Sequence, residues 1–256
     1  MNILEKIILD KKTEILKRKK EEPMSSLSNV YKSTPCFINA LTVKPIGFIA
    51  EIKRKSPSAG ILCTPFNPIE ILQSYEEGGA TAISCLIDNK YFGGSDEVFR
   101  TIRNKTNLPM LYKEFVVDEW QIAHAKSLGA SGILLIAGVL DNKEITEFSE
   151  CAKNYGLTAL IEVHDHKELN RVLDIGANCI GINNRNLKTF QTSLETTINL
   201  FKKIPDDVIV VSESGIKTAD DMLKLKQLGI NAVLVGESLL KDNDPSRSLK
   251  NLLSKI

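Results

Sequence analysis

The stretch LGASGILLI at residues 128–136 joins the end of a helix to a buried strand. Its second residue, Gly129, suits the left-handed turn that ends many helices, because glycine has no Cβ atom to clash there. The apolar run that follows has the length of a strand and no polar alternation, which is typical of a strand covered on both faces. Four more stretches repeat this pattern, at residues 78–86, 155–163, 175–183 and 228–236. The chain is therefore predicted to be built from helix–strand units.

Three further strands are predicted between and before these repeats. The intervals that precede the second and the fifth repeat are about twice as long as the other two, so each is expected to hold one more unit. Both contain a strand introduced by proline, at residues 107–112 and 204–211, and another strand ends near Ala50. Eight buried strands that alternate with helices in this length predict a (β/α)8 barrel. An open doubly wound sheet is the alternative, but no G-x-G-x-x-G follows the first strand.

Helix starts fall in the intervals between the strands. They are marked by residues that cap helix N-termini, namely Asn67 before Pro68, Asp118, Asp141 with Glu144, and Thr218 with Asp221. Near the start of the chain, apolar residues at helical spacing predict an amphipathic helix that lies on the barrel: Leu4, Ile7, Ile8 and Ile15. The basic run at residues 17–20 is interpreted as a solvated face, and the segment at residues 23–28 as irregular. Residues 1–256 are thus predicted to form one barrel domain, with a helical extension over about 1–45 and the barrel over about 46–256.

Composition sets limits on the class of protein. The chain has 256 residues, is 43% hydrophobic and carries a formal net charge of +1, which gives a normal core and no field that would recruit nucleic acid or a membrane surface. Its five cysteines form no C-x-x-C pair, and its three histidines show no metal-ligand spacing, so neither a metal nor a cofactor is expected. No leader-like or membrane-spanning apolar run is present, and we expect a cytoplasmic protein that is a monomer or a weak homo-oligomer.

Charged residues occur where several buried strands end. In the stretch AEIKRKSPSAG at residues 50–60, Glu51 and Lys53 share a face with Ile49, although unpaired charge in an interior is costly. The carboxyl ends of barrel strands carry the active site in this fold, and other strands are predicted to bring polar or aromatic residues to the same edge: Lys113, Phe115, Glu162, Asn183, Arg185, Glu213, Ser214, Gly236, Glu237 and Ser238. Any one of them could form a structural ion pair, but their convergence predicts a site for acid–base chemistry.

The last two strands are each followed by a loop that contains glycine, ESGI at residues 213–216 and VGES at residues 235–238. Phosphate commonly binds between these two loops of a barrel, where backbone N–H groups at a helix start point at the anion. The residues alone therefore predict an enzyme that acts on a phosphorylated small molecule by acid–base chemistry, without a metal or redox cofactor.

Six motifs together resemble the indole-3-glycerol-phosphate synthase family: EIKRKSPS at 51–58, YFGGS at 91–95, YKEF at 112–115, LIEV at 160–163, GINNRNL at 181–187 and SESG at 212–215. The resemblance extends over nearly the whole chain, and the opening Glu-x-Lys-x-x-Ser-Pro-Ser is not general to phosphate-binding barrels. It implies ring closure, decarboxylation and dehydration of 1-(2-carboxyphenylamino)-1-deoxyribulose 5-phosphate in tryptophan biosynthesis.

The resemblance also implies roles for individual residues. Lys113 matches the general acid that protonates the ribulose carbonyl, and Lys53 matches a second lysine that binds the substrate carboxylate and donates a proton during dehydration. Glu162 matches the base for dehydration, with Glu51 as a competing choice. The remaining matches orient these groups or hold the substrate: Asn183 and Glu213 as orienting partners, Arg185, Phe115 and Phe92 at the anthranilate end, and Ser56, Ser214, Gly215, Gly236 and Ser238 in the phosphate cradle.

The chain departs from the family pattern at three points. Glu114 stands where aspartate is more usual, Ile87 alters the end of the second strand, and His164 is expected to lie in a solvated loop. Two other functions are weighed against the family. Phosphoribosylanthranilate isomerase ends its first strand with a catalytic cysteine, where this chain has Glu51 and Lys53. A catalytically silent phosphate-binding barrel would be expected to lack a key acid or base, yet the candidates are present.

Overall fold

A computed structural model describes residues 3–27, 33–57, 59–186, 191–241 and 244–256. Eight parallel strands close into a barrel in which each strand pairs with the next along the chain and the last pairs with the first. The strands are β1 (Gly47–Ile52), β2 (Ala82–Leu86), β3 (Met110–Lys113), β4 (Gly132–Ile136), β5 (Thr158–Val163), β6 (Cys179–Asn183), β7 (Ile209–Glu213) and β8 (Ala232–Val235). The predicted (β/α)8 barrel is confirmed, and the open sheet was the wrong alternative.

Helices surround the barrel, and short ones occur in its connections. In chain order they are α1 (Ile3–Glu21), α2 (Phe37–Leu41), α3 (Pro68–Gly78), α4 (Asn89–Phe92), α5 (Asp96–Arg103), α6 (Glu119–Ser127), α7 (Asn142–Asn154), α8 (His166–Asp174), α9 (Glu195–Phe201), α10 (Ala219–Leu228), α11 (Glu237–Leu240) and α12 (Pro245–Leu253). The predicted caps are confirmed: Asn67 accepts from the first turn of α3, Asp118 from that of α6, and two capping boxes start α7 and α10. Gly79 and Gly229 end α3 and α10 with φ of 101° and 98°.

Alternating strand residues form two separate apolar cores. One set faces the helices, and the other points into the barrel, where it includes Ile49, Leu160 and Val211. Helix α2, which the sequence did not predict, belongs to this inner core through Phe37. Because successive strand residues point to opposite faces, the inner set continues two residues later into the charged residues at the strand ends. The alternation that fills the barrel thus also directs the site residues inward.

Helix α1 packs on the barrel as predicted, with Ile7 and Ile15 buried. The interpretation of the basic run at residues 17–20, in the last part of α1, as a solvated face was wrong. Arg18 pairs with Asp96 at 2.5 Å and lies over the Trp120 ring, 4.8 Å from its centroid. Lys19 likewise pairs with Asp118 at 2.7 Å. These contacts fasten the second half of α1 to α5 and α6.

Two further findings concern the chain outside the barrel strands. Residues Met24–Ser26 form a single 3-10 turn in the segment expected to be irregular, and Ser28 lies outside the described residues. Within the described ranges, no helix combines the length and the apolar character needed to cross a membrane.

Candidate active site

A cavity of about 660 Å³ opens at the carboxyl ends of the barrel strands. Every site residue predicted from the sequence lines it: Glu51, Lys53, Ser56, Phe92, Lys113, Phe115, Glu162, Asn183, Arg185, Glu213, Ser214, Gly215, Gly236 and Ser238. The structure therefore brings the whole predicted set together. Among the described residues, no group of three or more His, Cys, Asp or Glu side chains is arranged to hold a metal ion.

Lys113 lies at the centre of the charged floor of the cavity. Its Nζ atom is 2.6 Å from Glu213 Oε2 and 3.3 Å from Glu162 Oε2. Burial alone would lower the pKa of the Lys113 amine, but the surrounding carboxylates of Glu213, Glu162 and Glu51 outweigh burial and raise it. The side chain is therefore held as an ammonium group, which is able to donate a proton.

Glu213 is the most confined of these carboxyl groups. Burial raises its pKa to about 7, with Glu162 acting in the same direction and Lys113 against it. Its Oε1 atom has no hydrogen-bond partner among the described residues and lies against Gly181, where a Cβ atom would come within 2.2 Å of it. Only glycine leaves room for this carboxyl group, so the position of Glu213 depends on a residue of the neighbouring strand β6.

Glu51 and Lys53 form a second ion pair on the rim of the cavity, with 2.5 Å between Oε1 and Nζ. Burial would raise the pKa of Glu51, but the charges of Lys53 and Lys113 prevail and lower it. A Cβ atom at Gly236 would lie 2.8 Å from Glu51 Oε1, so this glycine gives the carboxylate its space. The pair is close, and both members are largely buried.

His164 does not lie in a solvated loop, and that expectation was wrong. Its side chain is only 15% exposed, with Nε2 3.2 Å from Glu162 Oε1 and Nδ1 3.1 Å from Glu168 Oε2. Side chains two residues apart along an extended chain point to the same face. Because His164 lies two residues after Glu162, its side chain points to the same side as that of Glu162. Burial would lower the pKa of His164, but the two carboxylates raise it to about 10.

The outer part of the cavity combines an arginine with two aromatic rings. Arg185 contacts Glu237 at 2.8 Å, and its backbone N–H donates to Asn183 Oδ1 at 3.0 Å. The rings of Phe92 and Phe115 lie 6.0 Å apart between centroids, with planes inclined by 40°. The cavity thus offers both a cation and a pair of aromatic rings, which suits an aromatic carboxylate.

The loops after β7 and β8 meet at the opposite side of the opening. Ser214 and Gly215 both have left-handed backbone, with φ of 65° and 80°, so the chain turns sharply there. Ser238 Oγ donates to the Ile216 carbonyl oxygen at 3.1 Å and ties the two loops together. Ser56 lies in a small hairpin after β1, where its Oγ accepts from the Ala59 N–H at 3.1 Å. Two lysines that the sequence analysis did not select, Lys217 and Lys241, also line the cavity.

Helix α1 contributes to the site in a way that was not predicted. Ile3, Leu4 and Ile7 line the cavity. One turn further, the Lys11 ammonium is buried 3.0 Å from both Asp88 and Glu114. We refer to Lys11, Asp88 and Glu114 as the helix anchor.

The helix anchor gives Glu114 a different set of contacts from its neighbour Lys113. Glu114 meets Lys11, whereas Lys113 meets Glu213 and Glu162. Burial raises the pKa of Glu114 to about 7, although the charge of Lys11 opposes this rise. The signal for Lys11 in the sequence was its spacing of four residues from both Ile7 and Ile15, which places it on the buried face.

Comparisons with known proteins agree with this geometry. A family model described as indole-3-glycerol phosphate synthase matches residues 4–252. An indole-3-glycerol phosphate synthase of Caldanaerobacter subterraneus is 45% identical over 99% of this chain and 98% of that protein, and a chloroplastic one of Arabidopsis thaliana is 44% identical over 99% of this chain and 67% of its own length. A solved tryptophan synthase alpha-subunit of Pyrococcus furiosus shares the fold, with a TM-score of 0.62 at 16% identity over 81% of this chain and 97% of that one. With a full-length family match and relatives above 40% identity, the chain belongs to the indole-3-glycerol phosphate synthase family.

Proposed function

We propose that Lys113 is the general acid with which this chain carries out the reaction of its family. The chain is a carboxy-lyase of tryptophan biosynthesis, and its reaction is the ring closure, decarboxylation and dehydration of 1-(2-carboxyphenylamino)-1-deoxyribulose 5-phosphate. The observation that carries the assignment is the position of the Lys113 ammonium, inside the barrel and between Glu213 and Glu162.

Ring closure needs a proton at one atom. A carbon of the anthranilate ring attacks the ribulose carbonyl, the new carbon–carbon bond forms, and the electron pair of the carbonyl moves onto oxygen. Lys113 donates its proton to that oxygen and becomes a neutral amine, while carbon dioxide leaves and its bonding electrons restore the aromatic ring. An alkoxide is far more basic than an amine, so even a lysine whose pKa is raised gives up its proton at this point.

We assign the base for dehydration to Glu162 rather than Glu51. Burial favours the neutral form of Glu162, but Lys113 first and then His164 keep its pKa well below the usual value. Once Lys113 has given away its proton, its charge no longer acts on Glu162, so Glu162 becomes a stronger base for the next step. Glu51 keeps its own cation, Lys53, at 2.5 Å during ring closure. Lys53 in turn is the proton donor to the departing hydroxyl group.

The rest of the cavity holds the two ends of the substrate. We assign the anthranilate end to Arg185, Phe92 and Phe115, which bring a cation and two rings into the same cavity. The phosphate lies between the loops after β7 and β8, and the residues of that cradle are Ser56, Ser214, Gly215, Gly236 and Ser238. Asn183 and Glu213 orient the reacting groups through Glu162 and Lys113, respectively.

The setting of the enzyme is part of the proposal: we place it in the cytoplasm as a monomer or weak homo-oligomer. Its net charge of +1 gives no strong field that would attract nucleic acid or a membrane surface. Sedimentation velocity at two protein concentrations checks the oligomeric state.

The test of the function is the indole fluorescence that appears when purified protein meets the substrate. We expect signal from the parent protein and at least about a 100-fold lower turnover for Lys113→Met, with a modest change in KM. Lys224→Met is the matched control, because the same change is made at an exposed lysine of α10. If the parent and Lys113→Met release product at the same slow rate, the chain is a silent barrel.

A further inference from the structure

We propose that His164 is a positioning residue of this active site, and that its imidazolium ring holds the Glu162 carboxylate by charge while Glu168 holds the imidazole. The inference deepens the proposed function and rests on it, because it adds a residue behind the carboxylate assigned as the base.

The contacts of Glu162 show why a second cation matters. One carboxylate oxygen, Oε2, lies 3.3 Å from Lys113 Nζ, and the other, Oε1, lies 3.2 Å from His164 Nε2. The Asn183 side chain also favours the charged form of this carboxylate and helps to lower its pKa. With a different partner at each oxygen, the carboxylate cannot rotate about its terminal bond without losing a contact in a buried site, where lost contacts are costly.

The imidazole is held equally firmly from behind. Glu168 Oε2 lies 3.1 Å from His164 Nδ1 and also accepts from the His164 backbone N–H at 2.8 Å. Glu168 is fixed in turn at the start of α8, where its backbone N–H donates to Asp165 Oδ1 at 2.9 Å. Its other oxygen lies where a Cβ atom on Gly138 would come within 2.8 Å. The ring therefore has one orientation, in which Nε2 faces Glu162.

The charges around His164 and Glu162 also favour this role. The groups that face His164 are the carboxylates of Glu162 and Glu168, and these keep the imidazole protonated to a pKa of about 10. Lys113 of β3 lowers the pKa of Glu162 by its charge. The charge of Glu162 in turn acts to raise the pKa values of Glu51 of β1 and Glu213 of β7. When Lys113 loses its proton during ring closure, His164 is the cation that remains in contact with Glu162. It keeps this carboxylate ionised and aimed until the dehydration step.

Two substitutions of His164 separate its two nitrogens. The amide nitrogen of glutamine reaches the region of Nε2, and that of asparagine reaches the region of Nδ1. We expect His164→Gln, which keeps a nitrogen near the position of Nε2 but not the charge, to lower kcat by about 3- to 10-fold, and His164→Asn to lower it by at least about 30-fold, with KM little changed in both. Thermal unfolding of both variants controls for the fold. Equal turnover of the two variants, or a better asparagine variant, overturns the proposal.

A second measurement does not depend on turnover. The chain has three histidines, so an NMR titration of labelled histidine resolves His164 directly. We expect a pKa of about 10 in the parent and a clearly lower one in Glu162→Gln. An unchanged pKa in that variant overturns the contact. If the parent protein shows no turnover, the proposed function fails, while the titration still decides whether His164 holds Glu162.

Discussion

Glu162 and Glu51 are both carboxylates of the barrel interior, but their surroundings prepare them for different steps. Glu162 contacts Lys113, the proposed general acid of ring closure, whereas Glu51 contacts Lys53. We expect Glu162→Gln to close the ring and release carbon dioxide but to form indole at least about 100-fold more slowly, as for loss of a general base. Carbon dioxide and indole fluorescence are measured on the same sample.

Glu51→Gln is the matched comparison at this scale, because it makes the same chemical change at the competing carboxylate. We expect this variant to release carbon dioxide and form indole-3-glycerol phosphate in equal amounts, although more slowly than the parent. An excess of carbon dioxide over indole-3-glycerol phosphate in Glu51→Gln, and not in Glu162→Gln, would exchange the two assignments.

The placement of a side chain in the site could be predicted wherever strand alternation decides which way that side chain points. Glu51, Lys113 and Glu213 follow this rule, and all three lie in the cavity. His164 obeys the same rule one step beyond β5, but a histidine after a strand is ordinarily solvated, and the sequence does not show that Glu168 turns back toward it. Contacts of this kind depend on how a loop meets the next helix, and periodicity carries no information about that.

At the scale of elements, the helix anchor connects α1 to the aromatic pair of the site. Asp88 Oδ1 accepts from the Tyr91 N–H at 2.6 Å, next to Phe92, and Glu114 Oε1 accepts from the Phe115 N–H at 2.7 Å. Lys11 joins the two carboxylates and therefore the two loops that carry the rings. Helix α1 is thus a support for the aromatic slot as well as a cover for the barrel.

This support leads to a prediction for Lys11→Met. The change leaves two buried carboxylates without their cation, so we expect a loss of roughly 3 kcal/mol in the free energy of unfolding. We also expect a rise in KM, because Phe92 and Phe115 lose their common anchor. Urea unfolding and steady-state kinetics measure the two effects. Lys12→Met, at the adjacent exposed position of α1, is the control. Equal free energies of unfolding and equal KM values for the two variants would show that the helix anchor supports neither the fold nor the aromatic pair.

Elements differ in how well the sequence predicted them. The barrel strands and their helices could be predicted because each unit repeats the same local signals, a cap, a glycine stop and an apolar run. Helix α2 was missed because five residues are too few to show a helical period. The solvated face expected at residues 17–20 was wrong for Arg18, whose partner Asp96 is distant in sequence.

For the whole molecule, the buried titratable groups predict how stability depends on pH. Glu114 and Glu213 have pKa values raised to about 7 from 4.5, and that of His164 is raised to about 10 from 6.5. Between the unfolded-state and folded-state pKa values, the folded protein therefore binds more protons than the unfolded chain. The stability that these groups contribute is fully present below their unfolded-state pKa values, and it is lost as the pH rises through their folded-state pKa values. The pKa values of Glu51 and Glu162 are lowered, so the stability that these two groups contribute to the protein is lost as the pH falls below 4.5.

We accordingly expect the free energy of unfolding to be highest in mildly acidic solution and to fall by several kcal/mol between pH 5 and pH 8. Urea unfolding across that range measures the slope. Glu114→Gln removes one of the groups responsible and should flatten the curve. Stability that rises toward pH 8 would mean that these carboxyl groups are ionised in the folded protein without cost.

The apolar wall that α1 adds to the cavity has a consequence for changing what the enzyme accepts. Ile3, Leu4 and Ile7 touch the space for the substrate, yet they belong to a helix outside the barrel and carry no charge. The groups proposed to move protons all come from the strands and their loops. One part of the surface that faces the substrate is therefore on a helix without any proposed reacting group, and laboratory evolution toward bulkier anthranilates can start on α1.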